Sequence, residues 1–168
     1  MPKNIEIKAR IENFQGLKEL VERLSDRSPE VLHQEDIFFE VQSGRLKLRL
    51  FSANHGELIF YQRQNRPEPK SSDYLLAETD DPVALRAVLE NALGVNGCVK
   101  KMRTLYYIGQ TRVHLDEVEG LGRFVELEVV MRPGQSEEEG RRIAHDLIRQ
   151  LGIREIDLIA TAYIDLLT

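Results

Sequence analysis

The sequence predicts an antiparallel α+β domain of about eight strands, its sheet closed into a barrel with helices packed outside. Three observations lead there. Segment after segment alternates between apolar and polar residues, the period of a half-buried strand, and NIEIKARI, Asn4 to Ile11, is the first of them. The strands follow one another through short turns containing glycine or serine, the connections of antiparallel pairs. The chain also runs strands then helix twice over, with no tandem repeat at a fixed period. So many strands in an open sheet leave two bare edges, and closure removes both. At 168 residues a single domain, 1–168, with a substantial core is expected.

The elements follow in order. After the first strand, NFQGLKELVERLSD (13–26) places Phe14, Leu17, Leu20, Val21 and Leu24 at helical spacing, with Asn13 as N-cap. VLHQEDIFFEV (31–41) is rich in β-branched and aromatic residues and reads as a strand, and Ser43-Gly44 turns it into SGRLKLRLF. GELIFYQRQ (56–64) is a further strand, NRPEPKSS (65–72) a loop marked by two prolines, and DYLLAETD (73–80) a shorter strand. Asp80 or Asp81, followed by Pro82, opens a helix that runs to Gly94. CVKKMRTLYYIG (98–109), TRVHLDEVE (111–119) and RFVELEVVMR (123–132) are strands. SEEEGRRIAHDLIRQLG (136–152) is a helix opened by a capping box of Ser136 and Glu139. IDLIATAYIDLL (156–167) is expected to dock as an amphipathic helix, too short to span a membrane.

Composition narrows the function. A net charge of −5 speaks against nucleic-acid binding driven by overall charge, while leaving room for a local basic site. Cys98 is the only cysteine, which excludes an internal disulfide and a cysteine-based zinc site. With no signal-peptide pattern and no long apolar run, a soluble, cytoplasmic protein is expected.

The polar faces of the strands carry the chemistry. RLKLRL sets Arg45, Lys47 and Arg49 opposite three leucines, and KKMR sets Lys101 and Arg103 on one face. TRVHLDEV sets Arg112, His114 and Asp116 together, and FVELEVV sets out Glu126 and Glu128. A solvated sheet face explains any one of these strands, but here the charges are sorted by sign, strand by strand. Like charges side by side are unfavourable unless something neutralises them. A cationic face suits phosphate or carboxylate groups, and a carboxylate cluster suits a hard divalent cation such as Mg²⁺ or Mn²⁺. Together they describe a site for a metal-bound polyphosphate, provided the charged faces turn inward.

The residues resemble a known family. NIEIKAR is similar to the Glu-x-Glu-x-Lys strand of the CYTH, or triphosphate tunnel metalloenzyme, superfamily. The similarity continues through QEDIFFEVQSGRLKLR and KKMRTLYYIGQTRVHLDEVEGLGRFVELEVV to the last helix, and the block HLDEVEGLGRFVELE resembles the class IV adenylyl cyclases in particular. The resemblance implies an eight-stranded antiparallel β tunnel that binds triphosphates with Mg²⁺ or Mn²⁺. It carries catalytic and metal-binding roles to Glu6, Glu126 and Glu128, with Asp116 as a fourth metal ligand. It carries phosphate binding to Lys8, Lys47, Arg49, Lys101, Arg103 and Arg112, and, through the proline loop, to Arg63 and Lys70. The first acidic motif position is Asn4 here, an oxygen donor without charge.

The leading expectation is therefore an adenylyl cyclase converting ATP to cyclic AMP and pyrophosphate. The alternatives are an inorganic tripolyphosphatase, a nucleoside or thiamine triphosphatase, or a module that binds polyphosphate or nucleotide without turnover. The expected partner is a small-molecule triphosphate rather than nucleic acid or membrane, and a homodimer fits the family. His114 is read as a supporting hydrogen-bonding group, Cys98 as a passive, partly buried thiol, and Tyr106 and Tyr107 as facing opposite sides of one strand.

Overall fold

In the computed structural model, which describes residues 2–167, the alternating segments pair into one sheet. Its strands are β1 (Lys3–Arg10), β2 (Glu30–Phe39), β3 (Arg45–Ser52), β4 (His55–Arg63), β5 (Lys70–Thr79), β6 (Val95–Ile108), β7 (Thr111–Val118) and β8 (Gly122–Val130). They are ordered β1-β5-β4-β3-β2-β6-β7-β8, and β8 pairs back onto β1, so all eight form a closed antiparallel barrel. Four helices are α1 (Phe14–Leu24), α2 (Pro82–Leu93), α3 (Glu137–Gln150) and the single turn α4 (Tyr163–Leu166). None is long and apolar enough to cross a membrane.

The barrel is apolar outside and polar inside. Ile7, Ala9, Tyr106, Val113, Leu115, Val125 and Leu127 point outward and are sealed by Val21 of α1 and Leu147 of α3. On the other side Ile37, Phe39 and Leu48 lie under Leu85 and Leu89 of α2. The helices are fixed where the sequence marks them: the Asn13 side chain accepts from Gly16 N, that of Asp81 accepts from Ala84 N, and Ser136 and Glu139 close their capping box. Gly44 holds the turn between β2 and β3 at φ 66°, where a Cβ would lie 2.9 Å from the Tyr61 carbonyl.

Three segments depart from the sequence reading. β5 begins at Lys70, so Lys70, Ser71 and Ser72 leave the expected loop and pair with Glu6, Ile5 and Asn4, the contacts that close the sheet. β6 begins at Val95 rather than Cys98, and the Cys98 side chain is exposed rather than partly buried. The C-terminal run is not one helix. After a 3₁₀ turn, Glu155–Asp157, it runs extended along β1: Leu158 bridges Ala9, and Ile159 N donates to Lys8 O at 2.8 Å. The sheet offers backbone partners that a helix would forgo.

That segment then turns in over one end of the barrel. Ala162, Tyr163 and Ile164 are buried among Phe38, Ile59, Tyr61, Val99, Val118 and Phe124 and close that end. Ile164 comes so near Gly97 that a Cβ there would meet its Cδ1 at 2.6 Å. The opposite end is a mouth rimmed by Phe51, Glu57, Leu76 and Arg112, with Leu76 47% exposed.

Candidate active site

The inward residues line a cavity of about 260 Å³ inside the barrel. Register builds its charged wall rung by rung. Across β7, β8, β1 and β5, Arg112 faces Glu128, Glu128 faces Glu6, and Glu6 faces Lys70. One rung along, His114 faces Glu126 and Glu126 faces Lys8. Ligand atoms of His114, Glu126 and Glu128 lie within 4.8 Å of one another. The carboxyl of Glu6 is pushed up by burial and by the charges of Glu126 and Glu128, against the pull of Arg63, which donates to it at 3.1 Å. Burial also acts to raise Glu126, but His114, Arg103 and Lys8 outweigh it and hold that carboxyl well below the usual range.

The facing wall is cationic and organised around a buried carboxylate. Asp36 accepts from Arg49 Nε and Nη2, both at 2.8 Å, and from Lys101 Nζ at 3.1 Å, with Lys47 Nζ at 3.3 Å. Burial favours its neutral form, but the three cations keep it ionised far into acid. Between the walls, Arg103 grips Asp116 with Nε and Nη2, both at 2.8 Å, and its Nη2 lies 3.7 Å from Glu126. Tyr163 Oη also donates to Asp116, at 2.7 Å. Lys8 and Lys70 are each lowered to about 8, chiefly by burial and secondarily by charges that include Arg63.

The oxygen-rich cluster fits a hard divalent cation. Glu6, Glu126 and Glu128 supply charged oxygen donors on adjacent strands, the kind such an ion takes. Asn4, on the same face of β1, is buried and lines the cavity, and its Oδ1 has no hydrogen-bond partner among the described residues. An unpaired buried acceptor lining the same cavity, two residues along β1 from Glu6, suits a further oxygen ligand.

Residues 2–163 match the CYTH domain model. The chain belongs to the CYTH domain family. Among solved structures, the PH1012 protein from Pyrococcus horikoshii OT3 is 28% identical with a TM-score of 0.86, covering 97% of this chain and 98% of that one. An adenylate cyclase, so proposed, from Vibrio parahaemolyticus superposes with a TM-score of 0.79 at 21% identity, over 98% and 97% of the two chains. A proposed adenylyl cyclase from Hippeastrum, described as having a dominant triphosphatase activity, has a TM-score of 0.65 at 16% identity, over 96% and 91%. No curated protein matches the sequence.

In this CYTH domain Glu6, Glu126, Glu128, Lys8, Lys47, Arg49, Arg63, Lys101, Arg103 and Arg112 all line the one cavity. Lys70 and Asp116 do not. Lys70 faces Glu6 in register but is buried, and its Nζ donates to Arg66 O at 2.9 Å, while Asp116 has its oxygens engaged by Arg103 and Tyr163. His114 lies beside Glu126 with a buried, unpartnered Nδ1, and its pKa is lowered by burial and by Arg103. Tyr106 is buried in the outer core and donates to Glu22, whereas Tyr107 stacks under Arg27 at 3.5 Å. Sequence reading missed Asp36 and Tyr163. Asp36 shares its face of β2 with Gln34 and Phe38, so that face shows no charge repeated at every second residue to mark it. Tyr163 gave no signal, because the helical reading treated its run as an outer docking face.

Proposed function

We propose that this CYTH domain is a divalent-metal-dependent enzyme that acts on linear triphosphates, with conversion of ATP to cyclic AMP and pyrophosphate as its reaction. One observation carries the reading: Glu126 and Glu128, with Glu6 facing Glu128 on the next strand, lie across one cavity from a wall of lysines and arginines. The cations bind and orient the phosphate chain and neutralise its charge, which is most of what phosphoryl transfer asks of a protein. Glu6, Glu126 and Glu128, with Asn4 Oδ1 as an uncharged fourth donor, would hold Mg²⁺ or Mn²⁺. Such an ion supplies charge stabilisation at the phosphates and lowers the pKa of an attacking hydroxyl. Asp116 acts here by fixing Arg103, and Lys70, opposite Glu6, by lending charge.

Hydrolysis is the second reading. The clamp recognises phosphate whatever is attached to it, and the Hippeastrum neighbour is described by its triphosphatase activity. Phosphorus NMR of the purified protein with Mg²⁺ or Mn²⁺, given ATP and tripolyphosphate in parallel, separates the two. Pyrophosphate with cyclic AMP is expected from ATP. Orthophosphate without cyclic AMP would establish the triphosphatase, and unchanged substrate that still binds would reduce the domain to a capture module.

A further inference from the structure

We propose that Tyr163, delivered by the C-terminal segment, is a positioning residue that orients Arg103 and Lys8 toward the phosphate chain. The inference rests on the triphosphate reading above. Arg103 lines the cavity, and its direction is set by the carboxylate of Asp116 that it grips. Two of its five N–H donors are spent on Asp116, and Nη2 also lies 3.7 Å from Glu126, which leaves the Nη1 pair to turn to a ligand. Asp116 is fully buried and can be held only by donors. Arg103 supplies two of them, and the third is the Tyr163 hydroxyl at 2.7 Å. That third bond prevents the carboxylate and guanidinium from swinging together about their shared axis.

The same tyrosine serves Lys8. Its ring lies under the ammonium at 3.9 Å, and the ammonium also donates to Thr161 O at 3.3 Å, two residues earlier in the segment. The Lys8 carbonyl in turn accepts from Ile159 N at 2.8 Å. Lys8 is thus pinned at backbone and tip by one stretch of chain, its charge resting on a π face and a neutral carbonyl. An arriving phosphate exchanges those contacts for a full charge without first breaking a strong ion pair. Apolar sealing of the barrel end needs only the ring; the hydroxyl has a partner of its own, Asp116.

Tyr163→Phe separates the two roles, because it keeps the ring and the sealed end and removes only the bond to Asp116. Tripolyphosphate binding with Mg²⁺, measured by calorimetry, is expected to weaken roughly tenfold, the scale of one hydrogen bond to a charged group. Arg103→Lys should weaken it too, and Tyr163→Phe should then add little, since the tyrosine acts through Arg103. In ¹⁵N spectra the Arg103 Nε–H signal should be sharp in the wild type and broadened in Tyr163→Phe. Wild-type affinity in Tyr163→Phe, or fully additive losses with Arg103→Lys, would overturn the inference and leave the triphosphate reading standing. Failure of the wild type itself to bind tripolyphosphate would overturn both.

Discussion

Asp36 is a single carboxylate shared by Lys47, Arg49 and Lys101, and all four groups are largely out of water. In the absence of a ligand it is the counter-charge that lets three cations stand together. Replacing it with asparagine preserves shape but leaves the cations unbalanced, and losing one partner of a buried pair costs roughly 3–5 kcal/mol. Asp36→Asn is therefore expected to unfold in urea with a stability reduced by about that amount. A triphosphate can supply the missing negative charge, so tripolyphosphate should stabilise the variant more than the wild type; equal gains would show that these cations do not meet the ligand. Most of the site's cations were legible in the sequence because Arg45, Lys47 and Arg49, or Lys101 and Arg103, repeat the same charge at every second residue. Asp36 was not, because a single carboxylate on a face shared with Leu32, Gln34 and Phe38 acquires meaning only when β3 and β6 bring their cations to its two sides.

At the scale of elements, the strands were readable because a period of two specifies both faces at once. Where the reading failed, the deciding partner lay far away in the chain. Lys70 to Ser72 look like loop until β1 offers them a ladder, and the last segment looks helical until Lys8 and Ala9 offer it backbone contacts. α2 is held by a close approach that glycine alone allows. A Cβ on Gly56 of β4 would lie 2.8 Å from Pro82 Cβ and 2.9 Å from the Arg49 carbonyl, which is backbone and has little room to yield. Gly56→Ala is expected to destabilise the fold by roughly 1–3 kcal/mol through overpacking. Denaturant titration checks this, and an unchanged midpoint would mean that α2 rides loosely on the barrel.

For the whole molecule, the closed barrel reverses the usual order of a globular protein: its apolar shell lies outside the sheet and its charges lie within. A chain with net charge −5 can therefore present a cationic wall to an anionic ligand while its surface carries the opposite balance. Ligand and metal should consequently act on global stability. Tripolyphosphate with Mg²⁺ at about 100 times its Kd adds about 2.7 kcal/mol. For a domain of this size that is a rise in melting temperature of roughly 5–10 °C. Chelating the cation should remove much of that rise, and a melting curve indifferent to both additions would mean that the native fold does not bind the ligand.

The segment that ends in Tyr163 and Ile164 also sets the traffic. A passage sealed at one end is a cul-de-sac, and whatever is cut inside it must depart in reverse order of depth. Under the proposed triphosphate reaction, the fragment nearer Phe51 and Leu76 is expected to leave first, and the fragment lodged against the sealed end to wait behind it. Until that inner fragment goes, the next substrate would have nowhere to park its own leading phosphate, so the deeper product is expected to be the brake on turnover.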